Sequence, residues 1–195
     1  MRRIPTPTHR KLSHILGLLL LVLSANGSWE ELGQPLRRDF EREVSFAGEA
    51  LFNGMVTEDG QLLLGGEHSI FHYDGRTWNR QEFQQNAFIT DFAHDGEGNL
   101  WLGANGEIGF YRNFEEAGFS RYVSMTDLAS KGGEGVETIF RVTRQGGFLF
   151  FQGHSKVYVW NGKTFQVFTF NSDYRIESFL FEDEFFVSDR ETLFR

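Results

Sequence analysis

The sequence predicts an all-β protein: a β-propeller with four-stranded antiparallel blades, of which about three and a half are present as an incomplete ring. Three observations lead there: an apolar motif repeated at blade-length spacing, glycine turns at fixed places around it, and an aromatic, glycine-rich, proline-poor composition. The 195 residues hold 22 Phe, 4 Trp, 5 Tyr and 22 Gly against 3 Pro, the mixture expected of short strands joined by tight turns. Hydrophobic residues at 40% and charged residues at 24% fit a globular chain better than a disordered one. The balance of 19 Lys and Arg against 27 Asp and Glu, a net charge of −8, argues against a nucleic-acid binder. The lack of cysteine removes disulfides, thiolate nucleophiles, Cys-ligated zinc and lipid-modified cysteine anchors.

Residues 1–27 read as a signal peptide. Arg2, Arg3, Arg10 and Lys11 precede the apolar run Ile15 to Leu23, and small residues follow from Ser24 to Ser28, the order of a secretory leader. Nine residues fall short of the roughly 20 needed for a helical membrane span. Cleavage is expected near Gly27, the alternative being an uncleaved signal anchor. Removal would leave 15 basic and 27 acidic residues, a charge of −12, which repels anionic surfaces.

A lead-in segment, 28–47, comes next, and the partial propeller occupies 48–195, in blades of about 48–84, 85–124, 134–171 and 174–195. The repeat is carried by Leu62-Leu63-Leu64-Gly65, Leu100-Trp101-Leu102-Gly103, Leu149-Phe150-Phe151-Gln152 and Phe185-Phe186-Val187-Ser188, spaced 38, 49 and 36 residues apart. Six residues past the last apolar member of each stand Ile70, Ile108, Val157 and Leu193. Turn residues precede the first three runs: Glu58-Asp59-Gly60, Asp95 to Asn99, and Gln145-Gly146-Gly147. Asp74-Gly75 and Asn161-Gly162 have the chemistry of two-residue type I′ hairpin turns. In the second unit, strands are expected near Ile89–His94, Leu100–Gly103, Ile108–Arg112 and Phe119–Val123. Continuous apolar runs suit strands buried on both faces, and a repeated four-stranded unit of some forty residues is the signature of a propeller blade.

Asp95-Gly96-Glu97-Gly98-Asn99-Leu100-Trp101-Leu102-Gly103, with Gly106, Ile108, Gly109, Phe110 and Tyr111 behind it, resembles the two-component regulator propeller repeat. The opening from Pro35 to Phe40, and Gly65-Gly66 through Ile70, Tyr73, Asp74, Gly75 and Trp78, are similar to the start of such exported sensor regions. The resemblance covers about residues 35–195 and is weakest in the fourth unit, where Glu184 and Ser188 replace glycines. It implies an extracytoplasmic sensing region of a bacterial histidine kinase-like protein, periplasmic or outside the cell. In such proteins a membrane span and a cytoplasmic output domain follow. Three and a half blades would leave unpaired edges and apolar faces, so the chain is expected to be the N-terminal piece of a longer protein. The alternatives are a truncated gene and a ring completed by several chains.

Candidate sites are few. His68 and His72 lie four apart, but no third ligand stands nearby, so exposed strand positions are the favoured reading. His94 and His154 each stand alone beside a turn. Asp95, Glu97 and Asn99 alternate as in a calcium loop, yet only the turn glycines repeat in the other units, which favours a hairpin role. Asp74 to Trp78 resembles the end of a sialidase Asp-box without the residue that box has between Asp and Gly. No catalytic, metal or cofactor motif is present.

The 49-residue spacing inserts Met125 to Gly135 between an outer strand and the next inner strand, expected near Val136–Val142. Loops there surround the mouth of a propeller's channel, and long loops on rigid scaffolds concentrate binding residues. Asp127, Ser130, Lys131 and Glu134 are therefore the candidate ligand-binding residues, the alternative being a tolerated insertion. The expected role is noncatalytic sensing of an extracellular or periplasmic small molecule or glycan, with the remaining blades and a downstream membrane and output region as partners. The competing classes are an exported carbohydrate-active propeller enzyme and a protein-interaction propeller.

Overall fold

In the computed structural model, residues 48–83, 85, 87–130 and 134–195 are described; the expected signal peptide, lead-in segment and Lys131 lie outside them. The chain runs as four successive antiparallel meanders. The first sheet is β1 (Leu51–Val56), β2 (Leu62–Gly66), β3 (Ser69–Tyr73) and β4 (Trp78–Glu82). The second is β5 (Ile89–His94), β6 (Leu100–Ala104), β7 (Glu107–Tyr111) and β8 (Tyr122–Ser124). The third is β9 (Arg141–Gln145), β10 (Phe148–Gln152), β11 (Lys156–Trp160) and β12 (Phe165–Thr169). The fourth has three strands, β13 (Glu177–Phe181), β14 (Glu184–Ser188) and β15 (Leu193–Phe194). Strand order equals chain order in every sheet, and the architecture is a β-propeller, each sheet one blade.

The repeated apolar runs are the second strands; that of the second blade, with a neighbouring blade on each face, is buried throughout, and those of the other blades in part. Leu63, Ile70, Phe92, Leu100 and Leu102 fill the first joint. Trp101, Ile108, Val142, Leu149 and Phe151 fill the second, and Val157, Val159, Ile176 and Val187 the third. Trp101 stacks on Phe110 at 4.6 Å between centroids and meets Phe151 at 5.7 Å and Trp160 at 5.8 Å. Aromatic pairs at such distances add to what their buried area contributes.

The small residue ending each run has a steric reason. A β-carbon on Gly65 would stand 3.0 Å from the Ile89 carbonyl oxygen, and one on Gly103 would stand 2.4 Å from Ile139 Cγ2. The chain entering the next blade crosses directly over these glycines. In the third blade the same position is Gln152, buried, with its amide donating to the Ile176 carbonyl at 2.6 Å and accepting from the Ser178 hydroxyl at 2.6 Å.

The turns differ from expectation in type. Asp74-Gly75 and Asn161-Gly162 do not form two-residue turns: Tyr73 pairs with Trp78 and Trp160 with Phe165, leaving four-residue loops in which only the glycine has positive φ. A side-chain oxygen fixes each loop, Asp74 Oδ1 accepting from the Arg76 and Thr77 amides and Asn161 Oδ1 from those of Lys163 and Thr164. The type I′ geometry appears where no glycine stands. Glu182 and Asp183, with φ of 49° and 61°, join the paired residues Phe181 and Glu184.

Two strand expectations also shift. Instead of extending from Phe119, the outer strand of the second blade begins at Tyr122. Asn113, at φ 50°, turns the chain into a one-turn helix, α1 (Phe114–Ala117), followed by a 3-10 turn at Gly118–Ser120. The third blade's inner strand begins at Arg141. Residues 136–140 before it instead pack Val136 and Ile139 into the core, touching the second blade through the bridge between Asn105 and Thr138. Among the described residues, no helix is long and apolar enough to cross a membrane.

Candidate functional site at the mouth of the inner strands

The inserted segment is anchored at both ends. Its start forms a one-turn helix, α2 (Thr126–Ala129), whose Ala129 is buried. The Thr126 hydroxyl accepts from the Ile108 amide at 3.0 Å and donates to Glu107 Oε2 at 2.7 Å. Glu107 is itself buried and takes a second bond, 2.7 Å, from the Tyr122 hydroxyl. Burial, and then the adjacent Glu107 carboxylate, push the Tyr122 phenol well above its ordinary range. At the far end the Glu137 carboxylate accepts from the Ser155 amide at 2.9 Å, the Ser155 hydroxyl at 2.7 Å and the Lys156 amide at 3.2 Å. Glu49 holds the corresponding turn of the first blade, accepting from the His68 amide and the Ser69 hydroxyl. Carboxylates that cap tight turns in this way satisfy donors the sheet leaves unpaired.

The structure thus separates the four sequence-selected residues. Asp127 is exposed on α2. The Ser130 hydroxyl donates to the Thr126 carbonyl at 2.7 Å, inside its own turn. Glu134, exposed, pairs with Lys156, whose ammonium holds the carboxyl below its usual range. Lys131 is outside the described residues.

Beside this segment the inner strands carry polar groups that sequence reading missed. Asn53, Asp91, Arg141 and Glu177 occupy equivalent positions, facing Gly65, Gly103, Gln152 and Ser188 across the first strand pair of each blade. Three of them reach into the next blade. The Asn53 amide donates to Asp91 Oδ1, Asp91 Oδ2 accepts from the Val142 amide at 2.7 Å, and the Arg141 guanidinium donates to the Ser178 carbonyl. Burial raises the Asp91 carboxyl to about 6, against the opposing pull of the Val142 and Phe92 amides and the Arg141 charge. Beyond it, Phe140 is exposed with the Arg175 guanidinium 4.8 Å from its ring centroid, and Arg175 also pairs with Glu177 at 2.6 Å. The result is a mouth of both charges around an accessible aromatic ring, suited to hydrogen bonding and stacking. The signal that finds it is register: one polar residue per blade opposite the residue that closes the apolar run, visible only once the bulges in β1 and β5 are known.

The remaining candidates resolve as turn chemistry. Asp95 Oδ1 accepts from the Glu97 and Asn99 amides, and Oδ2 from the Asn99 side chain at 2.6 Å and the Trp101 indole at 3.0 Å. Burial opposes ionisation there, but these four bonds hold the carboxyl below its ordinary value. The His68 amide is bonded to Glu49, and His72 Nε2 meets Gln61 Oε1. Among the described residues, no three His, Asp or Glu side chains are placed to hold a metal ion.

No protein-family model matches the chain, and no curated protein matches it significantly. Solved structures do. The extracellular domain of the hybrid two-component system BT4673 from B. thetaiotaomicron superposes with a TM-score of 0.56 at 16% identity, over 74% of this chain and 19% of that one. A second structure of that extracellular domain, described as from a one-component system, gives 0.55 at 17%, over 73% and 20%. YCF48 bound to a D1 peptide gives 0.50 at 13%, over 71% and 47%. The chain spans about a fifth of the length of the extracellular domains it matches. At these identities the likeness establishes the fold: consecutive β-propeller blades of the kind found in extracellular sensor domains and in a peptide-bound propeller.

Proposed function

We propose that the chain is the ligand-sensing, extracytoplasmic propeller region of a membrane-bound two-component-type signalling protein, noncatalytic in itself. The observation that carries this reading is the mouth. A segment pinned by Thr126 and Glu137 exposes Asp127 and Glu134, and just past it Phe140 carries the Arg175 guanidinium, which pairs with Glu177. Such a surface fits a small polar molecule or a glycan, with hydroxyls on the charged groups and a ring face on Phe140. The extracellular domains that share the fold, and the basic, apolar N-terminus read as a leader, support export. The partners in this reading are the remaining blades and a downstream membrane and output region.

Binding would be noncovalent, and it would signal only through different affinity for two packings of the blades. A glycan and metabolite screen by thermal shift on the complete ectodomain tests this. A stabilising compound is expected, with its effect lost in Phe140→Ala and reduced in Glu134→Ala. A shift unchanged in both variants, or no shift with any compound, would overturn the reading. Hydrolysis of a glycan in the same screen would favour the enzyme class instead.

A further inference from the structure

At the other end of the first two blades lies a cleft of about 540 Å³ that the mouth does not use. It is lined by Thr57 and Gln61 of the first blade's β1–β2 turn, His72 of β3, His94 at the end of β5, and Phe114 and Phe119 of the helical detour. Glu58, Asp59, Glu115 and Gly118 complete the lining, which holds no Lys or Arg. The volume lies within the range of small-ligand sites.

The walls are ordered by their own contacts. Phe114 and Phe119 meet edge to face at 5.0 Å, His94 lies 6.0 Å from Phe114, and His72 lies 6.0 Å from Phe119. Asp59 is already engaged by the Thr57 hydroxyl and the Gln61 amide, and Gln61 in turn meets His72. Three polar groups remain without a partner among the described residues. His94 Nε2 is shielded from water yet unbonded, and the exposed Glu58 and Glu115 carboxylates make no hydrogen bond or ion pair. The two carboxylates, unlike the shielded nitrogen, are open to a ligand in the cleft.

We infer that this cleft binds a small organic cation, an amine or guanidine, held by Glu58 and Glu115 at the rim and by the aromatic walls. The charge decides the class. Two free carboxylates with no Lys or Arg in the lining repel an anion, while aromatic faces attract a cation. The helical detour of the second blade has a use in this light, since it supplies Phe114, Glu115 and Phe119 to the lining.

The test is calorimetric titration of the full chain with agmatine at low salt, with galactose as the neutral control. Saturable one-to-one binding in the range of about 1 mM or tighter is expected, weakened severalfold by roughly 0.3 M salt. The Glu58→Gln, Glu115→Gln double variant changes only exposed groups and should weaken binding about tenfold with the melting temperature unchanged. No saturable heat with agmatine, equal binding by galactose, or unaltered affinity in the double variant would overturn the inference. Mouth variants such as Phe140→Ala leave this cleft intact, so the two sites fail independently.

Discussion

The joint between the second and third blades and the joint between the third and fourth solve one packing problem in two ways. In the former, Gly103 leaves room for the Ile139 side chain to lie against the sheet, while the Ile139 amide donates to the Ala104 carbonyl and its carbonyl accepts from the Thr90 hydroxyl. In the latter, Gln152 fills that room and bonds the Ile176 carbonyl and the Ser178 hydroxyl. Ile139 and Ile176 are both fully buried, so each joint excludes water at the crossing. Elsewhere they diverge: the later joint keeps a cleft of about 660 Å³ lined by Phe150, Phe168, Phe170, Phe185 and Phe194, while Trp101 closes the earlier one. The lesson is that one site in the repeat can be a glycine beneath an apolar side chain or a buried amide that itself bonds the incoming strand, provided that strand is complementary to the choice.

The largest expected effect breaks the glycine joint. Gly103→Val puts atoms where Ile139 Cβ and Cγ2 stand and should cost about 3 kcal/mol or more in denaturant melts, with Ile139→Ala recovering part of the loss.

Next comes pH, because the same joint is crossed by Asp91. Its carboxyl titrates at about 6 in the folded chain against an ordinary 3.8, so the folded state holds the proton more tightly. The stability this contributes is fully present below about pH 4 and is lost as pH rises through 6, roughly 2–3 kcal/mol in all. Asp91→Asn should flatten that segment of the stability–pH curve, and an unchanged slope would remove Asp91 as its source.

The polar joint gives the third test. Gln152→Leu keeps the volume but strands the Ile176 carbonyl and the Ser178 hydroxyl, for a loss of about 2 kcal/mol, and adding Ser178→Ala should cost less than the sum of the two. The smallest effect lies outside both joints. Asn161→Ala removes the oxygen that fixes an exposed loop and should cost under about 1 kcal/mol.

These joints also show how much the sequence reveals. The second strands were legible because packing between blades writes an unbroken apolar run, and Gly65 and Gly103 were legible as small residues at a fixed offset. Gln152 sits at that offset, but its role depends on atoms 24 and 26 residues away, which no local pattern encodes. The turn at Asp74-Gly75 was mistyped because the Asp side chain, not a second positive φ, closes the loop. Helices α1 and α2 are four residues each, too short to show a period. The mouth was half visible. Its inserted segment announced itself by length, whereas Asn53, Asp91 and Arg141 come together only through the register of three different blades.

The central claim, that the mouth of the inner strands is the sensing surface, is tested most directly by hydrogen exchange on the complete ectodomain with and without a stabilising glycan or metabolite. The account predicts ligand-dependent protection of the amides of residues 134–142 and 175–178, with the turns at 95–99 and 161–164 unaffected. Protection confined to other surfaces, with none at the mouth, would contradict it.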